Sequence, residues 1–250
     1  MSQSHDVMLQ RLSRLGNLSE DDRKAIASLP IEQADLRADQ DVARVNERPS
    51  RSILITSGMA ATYKDTLDGK RQIHSFHRAG DMPDLQSLHL KTLDAALETV
   101  TPCRVGFLRH DHLRLLCEKH PRVAAALWRS TLIDASIHRE WMTNVGQRKA
   151  PARMAHLFCE QFIRSAVAGL SEPGERKVCA FPVTQPMLGE ALGLSNVHIN
   201  RTLQYLRDAA LISFDHGRLE ILDWKMLVDI AGFDPTYLHL DDEVGSRYAA

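Results

Sequence analysis

Residues 184 to 212 run TQPMLGEALGLSNVHINRTLQYLRDAALI, and they hold the side chains best suited to chemistry on another molecule. Asn196, Val197, Asn200 and Arg201 fall on the outer side of a predicted helix, near its start, with His198 among them. All are short or hydrogen-bonding, the set a helix needs to enter a DNA major groove N-terminus first. Thr184 and Ser195 are helix-capping residue types at the heads of two helical patterns.

The pattern around them predicts how they are held. Thr184 caps a first helix that tolerates Pro186 in its first turn and turns Leu188, Ala191 and Leu192 inward. Gly193-Leu194 breaks it, and Ser195 caps a second helix with Ile199, Leu203 and Leu206 inside. Gly189 is small where the second helix must pass close. Gly193 sits where a tight interhelical turn needs a positive φ. Leu211 to Asp215, the turn His216-Gly217 and Arg218 to Leu222 predict a β-hairpin behind the helix pair. Phe181 to Val183 is expected to add a strand, Trp224 to Ala231 a last helix, and residues 236–250 a loose tail.

Other chemistry is thinly represented. His74, His77, His89, His110 and His112 fall in or just after a β-rich region, and histidine can ligate haem or a transition metal. His74 and His77 are three apart, so on one strand they face opposite sides. Ordinary surface or core histidines are the expected use, and a haem or metal sensor is the alternative. No Gly-rich phosphate loop, HExxH or GxSxG occurs, and Asp111-His112 lacks a nucleophile partner. No catalytic residue, metal site or cofactor is expected. Cys103, Cys117, Cys159 and Cys179 form no CxxC pair and fit reduced thiols of a cytoplasmic protein. The start of the chain lacks a signal-peptide build, and no apolar run is long enough to span a membrane. The net charge of -1 does not announce a polyanion binder, so DNA contact would need a local basic surface.

The rest of the 250 residues must position that segment. Short helices are expected around Val7 to Leu15 and after Ser19, where Asp22 three residues on resembles a capping box. Arg51 to Thr56, Met59 to Lys64, Arg71 to His77 and Arg104 to Leu108 predict strands separated by turns, an antiparallel barrel or sandwich. The stretch from Pro83 to Ala96 is expected to contain a short helix. Pro121 opens a helix without a breaker to Gly146, roughly 37 Å at 1.5 Å per residue. Its predicted apolar face is Ala124, Leu127, Leu132, Ala135, Met142 and Val145. Such a length suits a dimer seam or an interdomain strut. Gly146 to Pro151 marks a boundary, followed by a helix from about Pro151 to Ala168.

Over nearly its full length the chain resembles the Crp–Fnr superfamily of bacterial transcription regulators. The likeness lies in the β-rich front, the Gly80-Asp81 turn, Val100-Thr101-Pro102-Cys103-Arg104-Val105, the long helix and, most specifically, residues 184 to 212. The resemblance implies an α+β fold: an N-terminal antiparallel β jelly-roll (residues 1–120), a dimerisation helix (121–146) and a C-terminal winged helix-turn-helix (147–235). It implies a homodimer bound to a pseudo-palindromic duplex, and RNA polymerase as a partner if the protein is an activator. The family's recognition residues fall on Asn196, Val197, Asn200 and Arg201, and its phosphate contacts on Thr184 and Ser195. Many relatives place a glutamate at the position of Val197. Valine cannot accept from cytosine but packs on a thymine methyl. Relatives that bind cyclic AMP hold its phosphate with Arg followed by Ser or Thr. Those places fall on Leu93 and Asp94, while Asp81 beside Gly80 could stand for the ribose-binding glutamate. An aspartate repels phosphate and the bidentate arginine is missing, so cyclic-AMP response is not expected. The iron–sulfur relatives carry an N-terminal cysteine cluster, and no Cys precedes Cys103 here. A protein-binding module without DNA contact is the remaining alternative.

Overall fold

The structure is a computed structural model that describes residues 2–171, 176–241, 245 and 248. It forms two compact units, residues 1–135 and 136–250. The division falls inside the long helix, whereas the sequence suggests a boundary at Gly146 to Pro151.

The first unit opens with α1 (Gln3–Leu15) and α2 (Glu20–Ala27). Ser19 and Asp22 make the expected reciprocal cap on α2: Ser19 N–H donates to the Asp22 carboxylate at 2.8 Å, and Asp22 N–H donates to Ser19 Oγ at 3.2 Å. Seven strands follow: β1 (Glu32–Leu36), β2 (Asp41–Ala43), β3 (Arg51–Ser57), β4 (Ala60–Asp65), β5 (Arg71–His77), β6 (Ala96–Thr99) and β7 (Cys103–Arg109). They form two antiparallel sheets, ordered β1-β7-β3 and β2-β6-β4-β5, the layers of a jelly-roll. Ala43, Ile53, Ile55, Ala60, Leu93, Leu97, Cys103 and Val105 form an apolar cluster drawing on strands of both sheets. The sequence pattern does not show β1, β2 and β6. β1 is an edge strand whose alternation is confined to the half-buried Ala34 and Leu36, and β2 and β6 are too short to display a period. Between β5 and β6 the expected short helix is a single 3-10 turn, Leu85–Leu88.

α3 (His110–Lys119) and α4 (Pro121–Gln147) come next. The second unit contains the end of α4, then α5 (Ala150–Val167), β8 (Lys177–Ala180), α6 (Gln185–Leu192), α7 (Asn196–Asp208), β9 (Ile212–Asp215), β10 (Arg218–Ile221) and α8 (Trp224–Ala231). Its sheet is ordered β8-β10-β9, all antiparallel. The third strand of this sheet is therefore residues 177–180, not the expected Phe181 to Val183. Pro182 has no N–H to give to a ladder, and Phe181 instead donates to the carbonyl of Gly217 at 2.7 Å.

The expected loose tail is only partly described. Pro235–Leu238 is a 3-10 turn with Leu238 buried. Tyr237 donates its hydroxyl to Glu160 at 2.9 Å. A phenol with a buried acceptor in reach gains by docking, which corrects the expectation for residues 236–238. Residues 242–244, 246, 247, 249 and 250 lie outside the described residues. Among those described, no helix is long and apolar enough to cross a membrane.

Candidate nucleic-acid interface

The helix pair α6–α7 is built by backbone constraints. Thr184 Oγ accepts from Met187 N–H at 3.3 Å, and Ser195 Oγ accepts from His198 N–H at 3.4 Å. Both are the caps expected from sequence. Gly193 takes φ 62° and ψ 39°, the left-handed geometry that ends α6. Leu194 N–H donates to the Gly189 carbonyl at 3.0 Å. A Cβ on Gly189 would stand 2.7 Å from the Leu194 oxygen, so only glycine lets the turn close on α6.

The helical period divides α7 into two faces. Ile199, Leu203 and Leu206 are at most 1% exposed, with Thr202 buried beside them. Asn196, Val197, His198, Asn200 and Arg201 are all exposed. Five side chains of the first two turns thus share the solvent side, and Val197, 64% exposed, is an apolar group among hydrogen-bonding ones. Ser195 Oγ also lies 2.9 Å from His198 Nδ1, which holds the imidazole beside the helix N-terminus. That terminus carries partial positive charge and free N–H groups, a site for an anion such as a phosphate.

The wing is a hairpin of β9 and β10. Its turn residues His216 and Gly217 take φ of 47° and 74°, the pattern of a two-residue hairpin turn. Arg207, late in α7, donates to the carbonyl of Phe214 in β9 and ties the wing to the helix.

α4 also presents two faces. Val123, Ala126, Leu127, Ile133, Ile137 and Trp141 are buried. Ala125, Trp128, Leu132, Ala135, Arg139, Met142 and Gly146 are exposed, and their alternating spacing of three and four is a heptad. The face expected from sequence mixes the two: Leu127 belongs to the buried one, and Leu132, Ala135 and Met142 to the exposed one. Trp128 was missed, although its spacing to Leu132 and Ala135 could have revealed it.

The effector-pocket candidates have specific places in the first unit. Gly80 (φ 96°) donates to the Ile55 carbonyl at 2.9 Å, and Asp81 accepts from Ile55 N–H through its own carbonyl at 3.0 Å. The Asp81 carboxylate accepts from Arg78 N–H at 3.0 Å and lies 3.8 Å from Arg11. Leu93 is buried in the apolar cluster that also holds Ile55, and Asp94 is exposed. Two of the candidate histidines are engaged with hydroxyls. His77 Nε2 lies 3.2 Å from Thr62 Oγ1, and His110 Nε2 lies 3.2 Å from Ser52 Oγ and 3.1 Å from Ser87 Oγ.

A jelly-roll, a long helix and a winged helix-turn-helix define a class of DNA-binding regulators, and comparison with known proteins agrees. Residues 33–120 match the family model described as cyclic nucleotide-binding domain, and residues 152–230 match the Crp-like helix-turn-helix domain. The transcriptional activator protein FnrA of Stutzerimonas stutzeri is 23% identical over 230 residues, 91% of each chain. The nitrogen fixation regulation protein FixK of Azorhizobium caulinodans is 25% identical over 169 residues, 68% of this chain and 66% of that one. The solved structure of FixK2 from Bradyrhizobium japonicum superposes with a TM-score of 0.72 at 23% identity, covering 81% of this chain and 98% of that one. The chain belongs to the Crp–Fnr superfamily and is a DNA-binding transcription regulator rather than an enzyme.

Proposed function

We propose that the protein is a cytoplasmic homodimer that recognises a pseudo-palindromic operator and does not respond to cyclic AMP. The observation that carries the reading is the solvent face of α7. Asn196, Asn200 and Arg201 are exposed together at the capped N-terminal end, while the opposite side is packed on the protein. In a major groove, Asn pairs with adenine and Arg with guanine by two hydrogen bonds each, and Val197 packs on a thymine methyl. Thr184, Ser195 and His198 lie where backbone phosphates pass and set register.

The heptad stripe on α4 supports the dimer. Trp128, Leu132 and Met142 are 69%, 52% and 70% exposed, and a second copy of the same helix would cover them. Pairing along α4 would place two α7 helices in successive major grooves about 34 Å apart. Two features argue against cyclic AMP. Leu93 is given to the apolar core, and Asp94 offers a phosphate only repulsion. Asp81 is held by Arg78 and Arg11 rather than left to a ribose. RNA polymerase is a partner if the protein activates transcription.

Selection from a random duplex library at fixed salt, followed by sequencing, tests the reading. The expected product is an inverted repeat whose half-sites are one helical turn apart centre to centre. Recovery of unselected sequence, or of a single half-site, would contradict it.

A further inference from the structure

We infer that Arg153 is a positioning residue through which the end of α4 sets the attitude of the recognition helix α7. The inference rests on the DNA-reading function proposed above and adds how that function is aimed.

Arg153 lies in the first turn of α5, and its guanidinium joins two backbone segments. Nη1 donates to the Leu192 carbonyl at 2.6 Å, and Nη2 donates to the Arg148 carbonyl at 2.9 Å. Leu192 is the last residue of α6, where helix carbonyls lose their internal partners and the helix end is partly negative. Arg148 lies in the break between α4 and α5. The α5 backbone is gripped in turn: the Arg153 carbonyl accepts from Asn144 Nδ2 at 3.1 Å, and Asn144 is a buried residue of α4.

Packing follows the same route. A Cβ placed on Gly193 would lie 3.3 Å from Val145 Cγ1 and 3.8 Å from Arg153 Nη1. The interhelical turn therefore rests on the end of α4 and on the arginine at once. Three residues beyond Gly193 the reading face begins at Asn196. A guanidinium holds its donors in a rigid planar fork, so the two carbonyls keep a fixed separation. Movement of residues 144–148 would be carried to the turn without slack. Burial pulls the Arg153 pKa below its ordinary value, so the charge sits at a cost that its geometry must offset.

Lysine at this position keeps the charge but has no fork, so Arg153→Lys isolates the bridge. Two probes suffice: the duplex selected by wild type and a random-sequence duplex of equal length. The variant should bind the selected duplex about tenfold more weakly, the scale of one lost charge-assisted hydrogen bond. Its affinity for the random duplex should equal wild type, and its thermal midpoint should fall by no more than about 5 °C, the scale of that one bond in the free protein. Amide hydrogen exchange, read without DNA, should quicken at Gly193 to Ser195 and stay unchanged at Leu227 to Ala231. Wild-type affinity for the selected duplex in Arg153→Lys would overturn this inference alone. So would a joint fall of both affinities and the midpoint, which marks a general structural role. A wild type that selects no sequence would sink the function itself, and this inference with it.

Discussion

Gly189 and Leu194 stand so close that a Cβ on the first would meet the carbonyl oxygen of the second at 2.7 Å, while Leu194 N–H donates back to the Gly189 carbonyl at 3.0 Å. Contact with backbone cannot be relieved by a side-chain rotation. Alanine in place of glycine within an exposed helix usually stabilises by up to about 1 kcal/mol. Here overpacking, worth about 1–3 kcal/mol, outweighs that gain. Gly189→Ala should therefore unfold at lower urea concentration than wild type. An unchanged or higher midpoint would show that the turn has room to open.

The α4 stripe predicts a surface substitution with an effect on assembly alone. Leu132 is 52% exposed, so Leu132→Glu should leave the stability of the single chain within about 0.5 kcal/mol. Two glutamates facing each other in a paired seam would repel. Sedimentation equilibrium should show a dimer for wild type and a monomer for the variant. A dimeric variant would place the seam elsewhere.

Asp84 predicts a pH dependence in the first unit. It is 4% exposed, its Oδ1 accepts from Ile53 N–H at 2.7 Å, and burial pushes its carboxyl up to about 7. An unfolded aspartate titrates near 3.8. Below that pH both states hold the proton. As pH rises from 3.8 to about 7 the unfolded chain releases it first, so stability falls across this window and then levels. Asp84→Asn keeps the acceptor and removes the titration. Relative to wild type the variant should gain on the order of 2–4 kcal/mol between pH 4 and pH 8, read by urea unfolding. A difference that stays flat with pH would refute the raised carboxyl.

Much of this was legible in sequence where the determinants are local. Caps at Thr184 and Ser195, a turn at Gly193 and the pattern of Ile199, Leu203 and Leu206 all lie within a few residues of what they control. Strand β1 was not legible, because its inward face is only Ala34 and Leu36, two half-buried residues that make too short an alternation to stand out. α4 was legible as a helix but not as two faces, since Leu127 and Trp128 are adjacent apolar residues that turn in different directions. Arg153 was invisible because its partners, Arg148 and Leu192, are backbone carbonyls, and a carbonyl has no residue type to recognise.

Val197 predicts a change of preference rather than a loss. Valine packs on a thymine methyl, and glutamate accepts from cytosine N4. Val197→Glu should move the selected sequence from thymine towards cytosine at one position in each half-site, by about 1–3 kcal/mol. Unchanged base preference at every position would place Val197 away from the bases.

The account stands or falls on whether the exposed face of α7 reads bases, and Arg201 tests that most directly. Wild type and Arg201→Ala should be titrated, at one stated salt concentration, against the selected duplex and a random duplex. The variant should lose about 1–3 kcal/mol on the selected duplex and much less on the random one. Equal binding of both duplexes by both proteins would contradict the account.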